Sequence, residues 1–178
     1  MVENSTFSGN NATISGGGIY NTDTLTVTNS TFSGNSSTNG GGIRNGGGTA
    51  TLRNSIIVNS SGSGNCEGTI TNGGNNLDDG STCGWGSNLG SLSNTDPRLG
   101  LLAYNGGPTN TFRLLADSPA IDGGTYNAPN GCPGTDQRGY FRPVDGDDNG
   151  SAVCDIGAFE FGAVPGFFIY LPLILRGP

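Results

Sequence analysis

The sequence predicts an all-β protein: a right-handed parallel β-helix of about three coils of about 25 residues each, followed by a loop-rich, disulfide-stapled β cap. Three observations predict it. A segment repeats at a shift of 25 residues, apolar β-branched residues alternate with polar ones before each copy, and Gly and Asn punctuate the short runs. On this reading residues 1–72 are solenoid coils, 73–162 a C-terminal cap region of short strands and loops, and 163–178 a linker and an apolar C-terminal strand.

The repeat carries most of the prediction. Asn4-Ser5-Thr6-Phe7-Ser8-Gly9-Asn10 falls on Asn29-Ser30-Thr31-Phe32-Ser33-Gly34-Asn35 without a mismatch, and Asn54-Ser55-Ile56-Ile57 continues the series. Alternating segments precede the later copies, Leu25-Thr26-Val27-Thr28 and Ala50-Thr51-Leu52-Arg53. Gly16-Gly17-Gly18-Ile19 matches Gly40-Gly41-Gly42-Ile43 one residue out of step, a slip that a loop absorbs. Stacked coils lie about 4.8 Å apart, so each strand pairs in parallel with its copy one turn along. The expected inward columns are Val2, Val27 and Leu52; Phe7, Phe32 and Ile57; and Ile19 with Ile43. Asn4, Asn29 and Asn54 form a corner, either as an amide ladder or as plain turn chemistry. Met1 aligns with Thr26 in mid-strand, which predicts a bare backbone edge that calls for a missing N-terminal region or a docked chain.

Composition fits a solenoid. Only 32% of residues are hydrophobic while 34 are Gly, a balance that otherwise signals disorder, yet Phe, Ile, Leu and Val recur at fixed intervals. The chain has no His and no Lys; its basic residues are Arg, and the net charge is -7. Without a cationic stripe, nucleic acids are excluded as partners and anionic lipid surfaces are disfavoured. The commonest general base and the Schiff-base amine are both missing. Cys66, Cys83, Cys132 and Cys154 sit in Gly-rich surroundings without CxxC or His, which points to two disulfides and an oxidising compartment; of the three pairings, the local one, Cys66–Cys83 and Cys132–Cys154, is preferred. The N-terminus shows no basic and apolar leader pattern.

Beyond Cys66 the repeat weakens. Gly68-Thr69-Ile70-Thr71 reads as a last strand and Gly73-Gly74-Asn75-Asn76-Leu77 as a corner. Leu99, Leu101, Leu102, Phe112, Leu114, Leu115 and Ile121 then supply apolar side chains for a region expected to fold over the last coil. Gly17-Gly18-Ile19 with Phe7-Ser8-Gly9-Asn10, and Gly41-Gly42-Ile43 with Phe32-Ser33-Gly34-Asn35, resemble the GGxI and FxxN marks of polymorphic outer-membrane-protein repeats. The strings DPRLGLLAYNGGPTNTFRLLADSPAIDGG, CPGTDQRGYFRP and CDIGAFEFG resemble the C-terminal region of bacterial choice-of-anchor Q domain proteins. Together the resemblances cover residues 4–162. They imply an extracellular, surface-attached β-helical protein, of which this chain is similar to the last part.

Asp145-Gly146-Asp147-Asp148-Asn149-Gly150-Ser151 has the D-x-D-x-N-G spacing of a calcium loop, with Asp145, Asp147, Asn149 and Ser151 as candidate ligands of a structural Ca2+. Ile156 stands where a bidentate Glu belongs, leaving Asp155 or Glu160 as substitutes; the alternative is an acidic solvated turn. Arg138 and Arg142, beside Asp136, Asp155 and Glu160, read as salt bridges locking the C-terminal fold rather than as acid–base machinery. Asp78-Asp79 offers a glycosidase-like pair, but about three coils give no long catalytic face, so no catalytic residue is assigned and the chain reads as no enzyme. Sequons at Asn4, Asn11, Asn29, Asn35, Asn59 and Asn149 are candidate glycosylation sites.

Phe167-Phe168-Ile169-Tyr170-Leu171-Pro172-Leu173-Ile174-Leu175 is the most apolar run, too short at nine residues to span a bilayer. It either folds back on its own domain or adds as a strand to a neighbour. With Val2 at the bare first coil, it makes the expected assembly contact of a self-assembling, non-catalytic subunit of a bacterial surface fibre or layer, its partners being copies of itself or the cell envelope. The alternatives are a surface-anchored adhesin or glycan-binding β-helix fragment and, third, a polysaccharide lyase or hydrolase remnant.

Overall fold

The computed structural model describes residues 1–125 and 131–165. Alternation drives the first half into a parallel β-solenoid. The first coil comprises β1 (Val2–Glu3), β2 (Thr6–Ser8), β3 (Asn11–Ser15) and β4 (Ile19–Asn21). The second comprises β5 (Thr24–Thr28), β6 (Thr31–Ser33), β7 (Ser36–Asn39) and β8 (Ile43–Asn45). The third comprises β9 (Thr49–Arg53), β10 (Ile56–Val58), β11 (Ser61–Gly62) and β12 (Cys66–Glu67). A partial turn follows with β13 (Thr71–Asn72), β14 (Leu77–Asp78) and β15 (Leu92–Ser93), and then a hairpin of β16 (Leu99–Ala103) and β17 (Thr111–Leu114). The sheets run β1-β5-β9-β13, β2-β6-β10-β14-β15, β3-β7-β11 and β4-β8-β12, while β16 and β17 pair antiparallel.

The register is the one the repeat predicts. Val2 pairs Val27 and Val27 pairs Leu52; Phe7 pairs Phe32 and Phe32 pairs Ile57; Ile19 pairs Ile43. The Phe7 and Phe32 rings stack with centroids 4.5 Å apart. The one-residue slip between coils sits in β3, where the register shifts between Ala12 and Ser15. The Gly-Gly-x-Ile mark has a steric cause. A Cβ on Gly17 would lie 2.3 Å from the Gly41 carbonyl oxygen, and one on Gly41 would lie 2.3 Å from that of Ser61. No side chain fits where successive backbones approach so closely.

Two cores hold the molecule. The inner one lies within the coils and contains Val27, Phe32, Ile43, Leu52, Ile57 and Cys66. Its far end is closed by the segment after β14, whose Cys83 and Trp85 pack into the same cluster; Cys66 and Cys83 are disulfide-bonded. At the opposite end Val2, Phe7 and Ile19 are only partly buried, and β1, β2, β3 and β4 are the outermost strands of their sheets.

The second core corrects an expectation. The region after residue 95 does not fold over the last coil; it lies along the side of the solenoid, against the outer face of β10 and β14. Ile56, Val58 and Leu77 point outward there and are buried with Leu114, Ala120, Ile156 and Phe159. The physical reason is visible at β10. The first two coils place Thr6 and Ser8, then Thr31 and Ser33, where the third places Ile56 and Val58. An apolar strand on both faces needs cover on both faces.

The asparagine corner fastens this lateral region. Asn4, Asn29, Asn54 and Asn75 all have φ between 43° and 52°, a left-handed conformation that Asn tolerates better than other side chains. Their amides reach sideways to carbonyls of the C-terminal region: Asn75 to Gly123 (2.9 Å), Asn54 to Thr125 (3.2 Å), Asn29 to Asp155 (3.3 Å) and Asn4 to Thr135 (2.8 Å). Within the ladder itself, Asn54 donates to Asn29 at 3.4 Å. The expected ladder is thus limited to one long amide bond between Asn54 and Asn29, and the contact to the lateral region is what the corner mainly supplies.

Candidate metal centre and the buried ion-pair network

The DGDDNG loop is shaped by its own side chains. Asp145 accepts the backbone N–H groups of Asn149 (3.1 Å) and Gly150 (2.8 Å), and Asp147 accepts that of Asn149 at 3.1 Å. These short-range bonds are the usual Asx chemistry of Asp in turns. A residue from outside the loop completes the group. Asp122, itself at φ 52°, accepts the N–H groups of Gly146 (3.0 Å) and Asp147 (2.9 Å) through Oδ2.

One ligand atom from each of Asp122, Asp145 and Asp147 lies within 4.8 Å of the others, and the group is partly exposed. Two Ca–O bonds of about 2.4 Å span at most about 4.8 Å, so this spacing fits one hard cation. Asp122 Oδ1 is buried and, beyond the Val153 main chain, is not taken up by the loop's N–H groups, which bind Oδ2. Burial pushes the Asp122 carboxyl above its ordinary range, opposed by the N–H groups of Asp147 and Gly146 and reinforced by the Asp147 charge. A cation would offset that burial. The triple-Asp group could therefore hold an ion.

The other expected ligands are placed differently. Asn149 and Ser151 are exposed, and Asn149 uses its side-chain oxygen to accept the Ser151 N–H at 2.9 Å. Ile156 is fully buried in the lateral core. Asp155 and Glu160, the suggested substitutes for a distal Glu, are also fully buried and do not belong to the triple-Asp group; Asp122 supplies the third carboxylate. Asp122 lies far from the loop in sequence, and only its Asp-Gly-Gly turn composition marks it, so spacing alone does not find it.

Behind the loop, Asp136, Arg138, Arg142, Asp155 and Glu160 form a buried network. Arg138 is paired twice to Asp136 Oδ2, from Nη2 at 2.6 Å and from Nε at 2.8 Å, and its guanidinium lies 3.7 Å from the Phe159 ring centroid. Arg142 Nε stands 3.0 Å from Glu160 Oε2, an ion pair without hydrogen-bond alignment, while its Nη2 donates to the Gly157 carbonyl at 3.1 Å. The carboxylates are further held by backbone donors: Glu160 by Val144 and Asp155, and Asp155 by Asp122 and Phe161. These are the salt bridges the sequence anticipates, with each carboxylate bound to main chain.

Burial pushes the Asp155 carboxyl up to about 8, helped by the neighbouring Glu160 charge and opposed by the Phe161 and Asp122 N–H groups and by Arg142. Glu160 is raised for the same first reason, with Arg142 opposing. Burial likewise lowers Arg142, opposed by the carboxylates around it. The network holds three carboxyl groups against two guanidiniums. A proton on one carboxyl balances it.

Asp78 and Asp79 lie where the coils give way to the closing segment. Both accept from the Asn65 amide at 2.6 Å, and Asp78 also accepts the Cys83 and Gly80 N–H groups, so they pin the closing segment. Cys132 and Cys154 are disulfide-bonded and close the stretch that carries the acidic loop. Both disulfides point to an oxidising, non-cytoplasmic location, and no helix among the described residues is long and apolar enough to cross a membrane. Of the sequon asparagines, Asn11, Asn59 and Asn149 are exposed, Asn4 is half-buried, and Asn29 and Asn35 are fully buried. The assembly segment Phe167 to Leu175 lies outside the described residues.

No protein-family model, no curated protein and no solved structure matches the chain.

Proposed function

We propose that this chain is a non-catalytic structural subunit of the bacterial cell surface, an extracellular β-solenoid that assembles with copies of itself through the edge of its first coil. The observation that carries the reading is the polarity of the stack. Its far end is closed by Trp85 and Cys83, whereas β1, β2, β3 and β4 present an outer edge without a strand partner among the described residues. A row of free N–H and C=O groups is a template for a further coil in register. The resemblance to polymorphic outer-membrane-protein repeats and to choice-of-anchor Q domains supports the extracellular setting. So do the disulfides, and the commitment of the buried charges to backbone contacts supports a structural role for them. In the same reading Asp122, Asp145 and Asp147 hold a structural calcium ion that fastens the acidic loop to the 122 turn.

Two assemblies satisfy the open edge. In a head-to-tail fibre, residues 167–175 of one copy meet the first coil of the next; in a two-fold pairing, two first coils meet edge to edge. Light scattering with negative-stain microscopy tests the proposal. Filaments that disappear on deleting 167–175 support the fibre, and dimers that survive that deletion support the pairing. A chain that stays monomeric across a wide concentration range overturns both. For the ion, Ca2+ at about one hundred times its dissociation constant should stabilise the fold by about 2.7 kcal/mol. Asp122→Asn should remove that gain in a melting experiment; an unchanged melting temperature with Ca2+ would refute the site.

A further inference from the structure

We propose that the apolar segment 167–175 covers the exposed strand β16 of its own chain. β16 pairs with β17 on one side and has no other strand partner among the described residues. Its sequence, Leu99-Gly100-Leu101-Leu102-Ala103, contains none of the charges or prolines with which soluble proteins protect a sheet edge. Leu101 is 88% exposed, Leu102 41% and the adjoining Tyr104 75%. A bare edge beside apolar side chains is an aggregation template unless something lies over it.

The place where the described chain leaves the fold indicates the occupant. The Val164 carbonyl accepts the Phe141 N–H at 3.3 Å, and Pro165 bridges Tyr140. The Tyr140 hydroxyl lies against Gly106 in the β16–β17 turn, and Arg138 donates to the Asn105 carbonyl of that turn at 3.2 Å. Residue 165 is therefore one side chain away from the hairpin. Residues 166–178 number thirteen, and at about 3.3 Å per residue they reach about 40 Å when extended, ample to run along β16. Residues 167–175 carry no charge, as β16 carries none. Tethering on a short linker gives an effective concentration in the mM range, so the chain's own hairpin outcompetes a neighbour's at ordinary protein concentrations.

This goes beyond the assembly reading and decides between its two forms, because a segment engaged in cis is withdrawn from the next copy's first coil. Amide hydrogen exchange on the full chain and on a chain ending at Pro165 tests it. Leu99 to Ala103 should be protected in the full chain at every protein concentration and lose that protection in the shortened one. The amides of Val27, Phe32 and Leu52 report that the solenoid remains folded. If the shortened chain fails to fold, the full chain with Leu171→Asp and Ile169→Asp serves in its place, with the same loss expected. Equal exchange in β16 with and without an intact segment would overturn the proposal. So would protection that rises with concentration, which assigns the cover to another copy. Oligomeric state is read separately by light scattering, so failure of the assembly reading and failure of this one are told apart.

Discussion

The solenoid and the region lying along it solve the same problem by different means. In the coils, backbone pairs with backbone one turn along, and each coil needs only a few inward side chains such as Val27, Phe32 and Ile43. In the lateral region, regular pairing among the described residues is confined to one hairpin and isolated bridges. Its main chain is satisfied by irregular backbone bonds such as Gly124 to Cys154 and Ile156 to Ala120, supplemented by buried charges and by asparagines of the neighbouring coils. Periodic structure distributes its stability over equivalent positions, whereas irregular structure concentrates it in a few groups. The two should therefore fail differently.

Arg142→Ala should show this most strongly. Removing the guanidinium leaves Glu160 buried and uncompensated, at a cost of about 3–5 kcal/mol. Amide exchange should accelerate across 131–165 while Val27 and Leu52 keep their protection; a single transition shared by both regions would show them to be one cooperative unit. Ile56→Ala comes next, at about 2–4 kcal/mol from a cavity between the two regions, read as a shift in denaturant midpoint. Asn54→Ala should cost about 1–3 kcal/mol, because it removes both bonds to Thr125 and places a Cβ-bearing residue without a polar side chain at φ 43°. Asn54→Gly keeps the conformation, so the difference between the variants separates backbone strain from lost bonding.

The pH response is the gentlest test. Asp155 binds its proton more tightly folded than unfolded, up to about 8, and Glu160 is raised as well. The folded state holds the extra proton between the unfolded value near 4 and the folded one, so this contribution is complete at the acid end and fades as pH rises through about 8. The melting temperature should fall from pH 5 to pH 9, and Asp155→Asn should flatten the slope. A slope of opposite sign would place the excess charge elsewhere.

The same contrast explains what could be read in advance. Solenoid register follows from pairs such as Phe7 with Phe32, because identical residues in consecutive coils must occupy identical places. Even the slip at Gly17 and Gly41 is visible in the sequence, though not that β3 absorbs it. The outward burial of Ile56 and Val58 is latent in the unbroken run Ile56-Ile57-Val58, but the repeat marks only Ile57 as inward and says nothing of what covers its neighbours. Asp122 was not legible, since no local pattern ties it to a loop so distant in sequence. The salt bridges of Arg138 and Arg142 were foreseeable as charges needing partners; which carboxylate each would take depends on three-dimensional packing.

The four sideways amides of Asn4, Asn29, Asn54 and Asn75 also have a mechanical meaning. They sit at successive levels of the stack, so a pull along the solenoid axis loads them together in shear, like rivets through a splint. Bare coils would separate singly, each interface opening before the next. With the splint in place, opening any one interface requires the lateral region to slip past every rivet above or below it. Tension that would unzip a bare solenoid is thereby spread over all the levels that the four amides span, from Asn4 to Asn75.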